Sequence, residues 1–134
     1  MNHVKKTLII ASSLMIVSLC ARPLTMELYQ QLDIEHHQHM IMTSANPKLL
    51  AYSYRRLGYS KVEALIDSIE KQKNCIDWYV GKYQYKILQQ KHPVMGKNAA
   101  EIACEVNNSS ALASIKKHVQ FARQAKNAQR KLME

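Results

Sequence analysis

Two clusters in this chain hold residue types that could do chemistry. The first is His36-His37-Gln38-His39-Met40-Ile41-Met42, which mixes imidazoles with thioethers. Such donors suit copper, and thioethers favour the cuprous ion. On a helix His36 and Met40 share a face one turn apart, and His39 and Met42 share a neighbouring one. His36, His39, Met40 and Met42 are therefore the candidate ligands of a periplasmic copper or other metal-binding protein. Three histidines within four residues cannot all face one ion, however. The simpler account is a partly exposed helix surface with Met40 filling a gap in the core.

The second cluster is Tyr52-Ser53-Tyr54-Arg55-Arg56-Leu57-Gly58-Tyr59. Aromatic rings interleaved with guanidinium groups can stack on partner groups and grip anions. Tyr52, Tyr54, Arg55, Arg56 and Tyr59 are the candidate partner-binding residues. The competing account is an amphipathic helix with Tyr52 or Leu57 inward and the arginines solvated. A third feature is the basic end: Lys116 to Glu134 holds six bases and one acid. Such a helix could meet an anionic membrane surface, but it lacks the bulky apolar face that anchoring needs.

Enzymatic signals are missing from the sequence. It has no glycine-rich phosphate loop, no G-x-S-x-G, no H-E-x-x-H and no C-x-x-C. Asp67, Glu70 and Asp77 read as surface acids with basic neighbours. No acid–base–nucleophile set stands out, so neither catalysis nor a cofactor is expected.

The first 21 residues set the compartment. Lys5 and Lys6 precede the apolar or small run Thr7–Cys20, which is followed by Ala21, Arg22 and Pro23. A basic start, a short apolar run and a small residue at its end make a secretory signal peptide, cut after Ala21. The run is short for a membrane span, which takes about 20 residues. Lipidation at Cys20 is a competing use, although Leu19 suits that processing poorly. Cleavage leaves Cys75 and Cys104. In an oxidising exterior such a pair reads as a disulfide, closing a loop worth about 3–4 kcal/mol. Trp78 would then pack against the bridge.

Removing Lys5 and Lys6 lowers the formal charge of the chain from +9 to +7. That excess attracts nucleic acid, anionic lipid or an acidic protein. Export disfavours nucleic acid, which returns as an alternative only if the leader is kept and the chain stays inside. A membrane enters only through a lipidated Cys20 or a retained leader.

The elements that must position these groups are helical. Three glycines and three prolines in 134 residues leave little turn chemistry for a β-fold. Thr25 can cap a helix with a stripe at Leu28, Leu32, His36 and Met40, ending near Met42. Asn46-Pro47 starts a second helix, which Gly58 closes. Ser60 and Glu63 form a capping box. Behind it Val62, Leu65, Ile66, Ile69, Ile76, Tyr79, Val80, Tyr83 and Ile87 hold a stripe that lapses at Gln72 and Lys73. The favoured reading is one long helix over 61–90, straight or bent, with a break at Asn74 as the alternative. His92-Pro93 stops it. Asn98 and Glu101 start a short helix with Cys104 beside its apolar face. Ser110 caps a last helix that projects or frays beyond Ala122.

The expected fold is all-α: residues 22–134 as one domain of about five helices, stapled by Cys75–Cys104. Asn74-Cys75-Ile76-Asp77-Trp78-Tyr79 faintly resembles the cysteine-bearing helix of some periplasmic immunity proteins against secreted amidases. Cys104 departs from that layout, and the resemblance supplies no site residue. The expected function is that of a small exported binding protein, periplasmic or secreted, acting on a protein partner in the cell envelope as an inhibitor, immunity factor or accessory protein.

Overall fold

Caps decide where the helices of this chain begin. The structure, a computed structural model, describes residues 25–134. The leader, its cut after Ala21 and the fate of Cys20 lie outside those residues. Among the described residues the chain is all helical, with six α-helices and no strand. They are α1 Met26–Thr43, α2 Pro47–Arg56, α3 Lys61–Glu70, α4 Ile76–Tyr83, α5 Ala99–Glu105 and α6 Ser109–Met133, with a 3₁₀ turn at Tyr85–Leu88.

The starts follow local chemistry. Thr25 accepts from the Leu28 N–H at 3.2 Å. Asn46 accepts from Lys48 and Leu49, with Pro47 in the first turn of α2. Ser60–Glu63 and Asn98–Glu101 both close reciprocal capping boxes, which satisfy amides that a helix leaves orphaned. The last cap differs from expectation. Asn108, not Ser110, starts α6, its Oδ1 accepting from Ala111 N–H at 3.1 Å.

Three helices end alike. Gly58, Gln72 and Asn107 each take a positive φ, of 88°, 61° and 54°. At each, the following N–H reaches back five residues: Tyr59 to Tyr54, Lys73 to Ser68, Asn108 to Ala103. This is the Schellman closure, with a left-handed residue just past the helix. It corrects the expectation of one helix over 61–90. α3 stops at Glu70 and α4 starts anew at Ile76, where the Asn74 side chain accepts from the Ile76 N–H at 3.2 Å. Gln72 has its own reason to sit there, since its side-chain amide donates to Val106 O at 2.7 Å.

Helices α1 and α2 form a hairpin; α2 leans on α3, α3 packs on α5, and α6 crosses both α5 and α4. The shared core holds Leu50, Tyr54, Leu65, Ile69, Ile76 and Tyr79, all at 2% exposure or less, with Ile102 and Ile115 closing it. α1 faces inward with a different phase from the one expected. His37 and Ile41 are buried, while Leu28, Leu32 and Met40 are half-buried and His36 is exposed. Lys73 reaches from the α3–α4 turn to the end of α1, where its ammonium donates to Ser44 O at 2.6 Å and to Ile41 O. Burial lowers its pKa, while the carbonyls at a helix C-terminus favour its charge.

The expected disulfide is absent, and both cysteines are free thiols. Cys75 is 1% exposed in the core, whereas Cys104 faces solvent. Helix phase explains the separation: α5 turns Ala99, Ile102 and Ala103 inward, which leaves the next residue, Cys104, about 100° off that face. From Arg123 onward every residue of α6 is exposed. No helix among the described residues is long and apolar enough to cross a membrane.

Candidate functional site

Four helical positions on α2 and four on α4 line one groove. Lys48, Ala51, Tyr52 and Arg55 follow the i, i+3, i+4, i+7 spacing of one helix face. Trp78, Tyr79, Lys82 and Tyr83 on α4 are two adjacent i,i+4 pairs, which also fall on one side of a helix. Tyr59 and Ser60 of the connecting turn, with Lys61 and Ala64 at the start of α3, complete an open groove of about 190 Å³.

The lining carries four cations and no carboxylate. Three of the cations lie over aromatic rings. Arg55 stands 5.9 Å from the centre of Tyr52, Lys61 is 5.0 Å from that of Tyr83, and Lys82 is 5.5 Å from that of Trp78. Such contacts are worth about 0.5–1 kcal/mol each when exposed, enough to bias where a long side chain rests. The rings brace one another as well. Trp78 meets Tyr79 edge to face at 5.1 Å and Tyr83 at 6.5 Å.

Three cations elsewhere in the fold are paired with carboxylates: Arg56 with Asp33 at 3.2 Å, Lys71 with Asp67 at 2.5 Å, and Lys97 with Glu105. Among the described residues, Lys48, Arg55, Lys61 and Lys82 have no ion-pair partner, and neither do Lys86, Lys91 and the six lysines and arginines of α6. What sets the groove apart is that its four cations lie together among aromatic rings. The nearest acids are already committed. Glu63 accepts from the Ser60 N–H, and Asp67 accepts from the Tyr54 hydroxyl at 2.6 Å as well as from Lys71.

The structure sorts the candidate partner-binding residues. Tyr52, Arg55 and Tyr59 line the groove, with Tyr52 and Tyr59 at 48% and 39% exposure. Tyr54 is not a surface residue: it is fully buried beside Leu50, one turn away. Arg56 turns to Asp33 on α1, away from the groove. Sequence reasoning missed Lys48, Lys61, Lys82 and Tyr83. It also placed Trp78 against a bridge that does not form. A signal was present in Trp78/Lys82 and Tyr79/Tyr83, two i,i+4 pairs, but the break before α4 decides where that face points.

The candidate metal ligands do not assemble. His36, His39 and Met42 are exposed and Met40 is half-buried, so the segment spreads around α1. No group of three or more His, Cys, Asp or Glu that could hold an ion occurs among the described residues. The histidine that does matter to the fold is His37. Its Nδ1 lies 3.0 Å from Ser53 Oγ and its Nε2 3.4 Å from Asp33. The order of contacts is that of a nucleophile, base and acid. Ser53 is only 2% exposed and His37 5%, so both sit inside the helix hairpin. The trio links α1 to α2.

Burial also holds two phenols protonated. It raises the pKa of Tyr54, helped by the hydrogen bond to Asp67 and that carboxylate's charge. It raises that of Tyr79 too, with smaller contributions from Cys75 and Tyr83. Both folded values lie above the ordinary 10.0, so the stability these groups protect is whole below that pH and is lost as pH rises past it. Ultraviolet titration of the seven tyrosines should show Tyr54 and Tyr79 ionising only in step with loss of the helical circular dichroism signal. Reversible titration of all seven with the helices intact would contradict their placement in the core.

No family model, no curated protein and no solved structure matches this chain.

Proposed function

We propose that this chain is a small exported helical binding protein, which holds a macromolecular partner in the cell envelope as an inhibitor, an immunity factor or an accessory protein does. The observation that carries the reading is the α2–α4 groove, where four cations sit among five aromatic rings with no carboxylate to neutralise them. Tyrosine, tryptophan and arginine are the residues that dominate binding hot spots, because they present large rigid surfaces at small entropic cost. The formal excess of positive charge speeds encounter with an acidic partner. The leader, residues 1–21, supports an exported location.

Lysine footprinting tests the reading. The protein is acetylated once as the purified chain and once in an envelope extract of its host, and each lysine is quantified by mass spectrometry. Lys48, Lys61 and Lys82 should be protected in the extract, while Lys126 and Lys131 of the exposed α6 arm should label equally in both. Equal labelling at all five sites would sink the groove as the binding face.

A second reading is nucleic-acid binding by a chain that keeps its leader. It draws on α6, where Lys116, Arg123 and Arg130 repeat at seven-residue spacing and so share one face. Cell fractionation separates the two, since this reading requires full-length protein in the cytosol.

A further inference from the structure

We infer that the groove takes an acidic segment of a partner protein, one side chain entering between α2 and α4 while flanking carboxylates pair with Lys48, Arg55, Lys61 and Lys82. The inference rests on the binding reading above and adds the chemistry of the partner. Three observations lead to it.

The first is charge. Every formally charged residue lining the groove is a cation, and the acids nearest it are engaged elsewhere. A carboxylate-bearing occupant supplies the missing sign. The second is size. A groove of about 190 Å³ falls below the ~300–1,000 Å³ typical of drug-sized ligand sites. It has room for one anchoring side chain, resting on Ala64 and Tyr79, which are 3% and 2% exposed. The third is how the rings are already used. Tyr52, Trp78 and Tyr83 each have a cation over the ring, and Trp78 is also edge-packed by Tyr79 and Tyr83. A nucleobase or sugar ring needs an open aromatic face to stack on. Here the rings hold the cations in place, and it is the cations that face the occupant.

The cation positions also suit an extended segment. Lys48 and Arg55 lie two turns apart on α2, about 10 Å along the axis, and Lys82 and Lys61 stand on the other helices of the groove. Carboxylates on both sides of one anchor can therefore be met from both walls.

Trp78 is the only tryptophan in the chain, so its emission reports occupancy directly. The full-length protein is titrated with a short tryptophan-free peptide that carries one Phe flanked by Asp and Glu. Parallel titrations use its Asn/Gln counterpart, its Phe→Ala counterpart, an acidic sugar oligomer and a single-stranded oligonucleotide of equal charge. The acidic peptide should change Trp78 emission with micromolar affinity, weakening as salt rises. Neutralising its acids, or removing its Phe, should each weaken binding about tenfold or more.

Two charge-reversed variants with the same net charge complete the test. Lys61→Glu/Lys82→Glu should lose peptide binding while its far-ultraviolet circular dichroism is unchanged. Lys126→Glu/Lys131→Glu should bind as the parent does. Equal loss in both variants, equal binding of the neutral peptide, or tighter binding of the oligonucleotide or sugar oligomer overturns the inference. So does an absence of any response up to millimolar peptide. If the peptide fails while Lys48, Lys61 and Lys82 are still protected in the extract, the acidic partner is rejected and the groove stands. Failure of both rejects both.

Discussion

Asn108→Ala should lower the stability of this protein by about 2–4 kcal/mol, read as a melting point lowered by about 10 °C or more. The residue is 3% exposed and holds three elements together. Its amide donates to Ile69 O at 3.1 Å and to Lys73 O at 3.0 Å, the two carbonyls flanking the Schellman turn between α3 and α4. Its Oδ1 caps α6 at Ala111 N–H. Alanine removes a cap worth about 1 kcal/mol and leaves three backbone groups without the partner they had, in a place water reaches poorly. Asn108→Asp keeps the acceptor but sets a carboxylate against two carbonyls, so it should be no better. The neighbouring residue gives the contrast. Asn107 is exposed with φ of 54°, and Asn107→Gly relieves that conformation, so it should stabilise by about 0.5–1 kcal/mol. Thermal melts of the three variants check both signs. A loss under 1 kcal/mol for Asn108→Ala would mean the α3–α4 turn is not fastened by this side chain.

The second large effect is in the thiols. Cys104 should be alkylated quickly in the native protein and Cys75 slower by about a thousandfold or more. Two factors separate them. Burial pushes the Cys75 pKa up, which leaves little thiolate to react. Cys75 is also sealed at the start of α4, against Ser68 of α3, so a reagent must wait for the helices to part. An opening cost of about 4 kcal/mol, below the usual 5–15 kcal/mol of a folded domain, supplies such a factor. Timed iodoacetamide labelling with peptide mass mapping separates the two sites from Cys20. Comparable rates would show α4 undocked. Labelling of neither cysteine until reductant is added would restore the bridge that the exported context suggested.

Much of the architecture was legible because helix starts are written in short local patterns. Thr25, Asn46-Pro47, Ser60–Glu63 and Asn98–Glu101 all cap where their spacing said they would. Ends were harder. Gly58 announces its turn by composition, but the turn after α3 uses Gln72, a residue that does not normally accept positive φ. It is held there by a contact with Val106 some thirty residues away, which no local pattern contains. The apolar stripe runs on at Ile76 and Tyr79, so one helix looked continuous where there are two.

The phase of α1 was misread for a different reason. His36 and Met40 were counted as apolar, but the hairpin with α2 selects His37, because Ser53 offers its ring nitrogen a partner at 3.0 Å. The groove was half visible. Tyr52, Arg55 and Tyr59 were named from a local run of rings and arginines. The opposite wall comes from α4, more than twenty residues on, and the break between α3 and α4 sets its direction. Tyr54 looked like a surface ring for the same local reason, although one turn from Leu50 it belongs to the core.

The central claim is that the face between α2 and α4 is where this protein meets its partner. Photo-crosslinking in the living host tests it most directly, with p-benzoylphenylalanine replacing Tyr52 in the groove or Asn127 on the exposed arm. The account predicts one discrete adduct from position 52, identified by mass spectrometry as an acidic envelope protein, and none from position 127. Adducts from position 127 alone, or none from position 52 at normal expression, would contradict it.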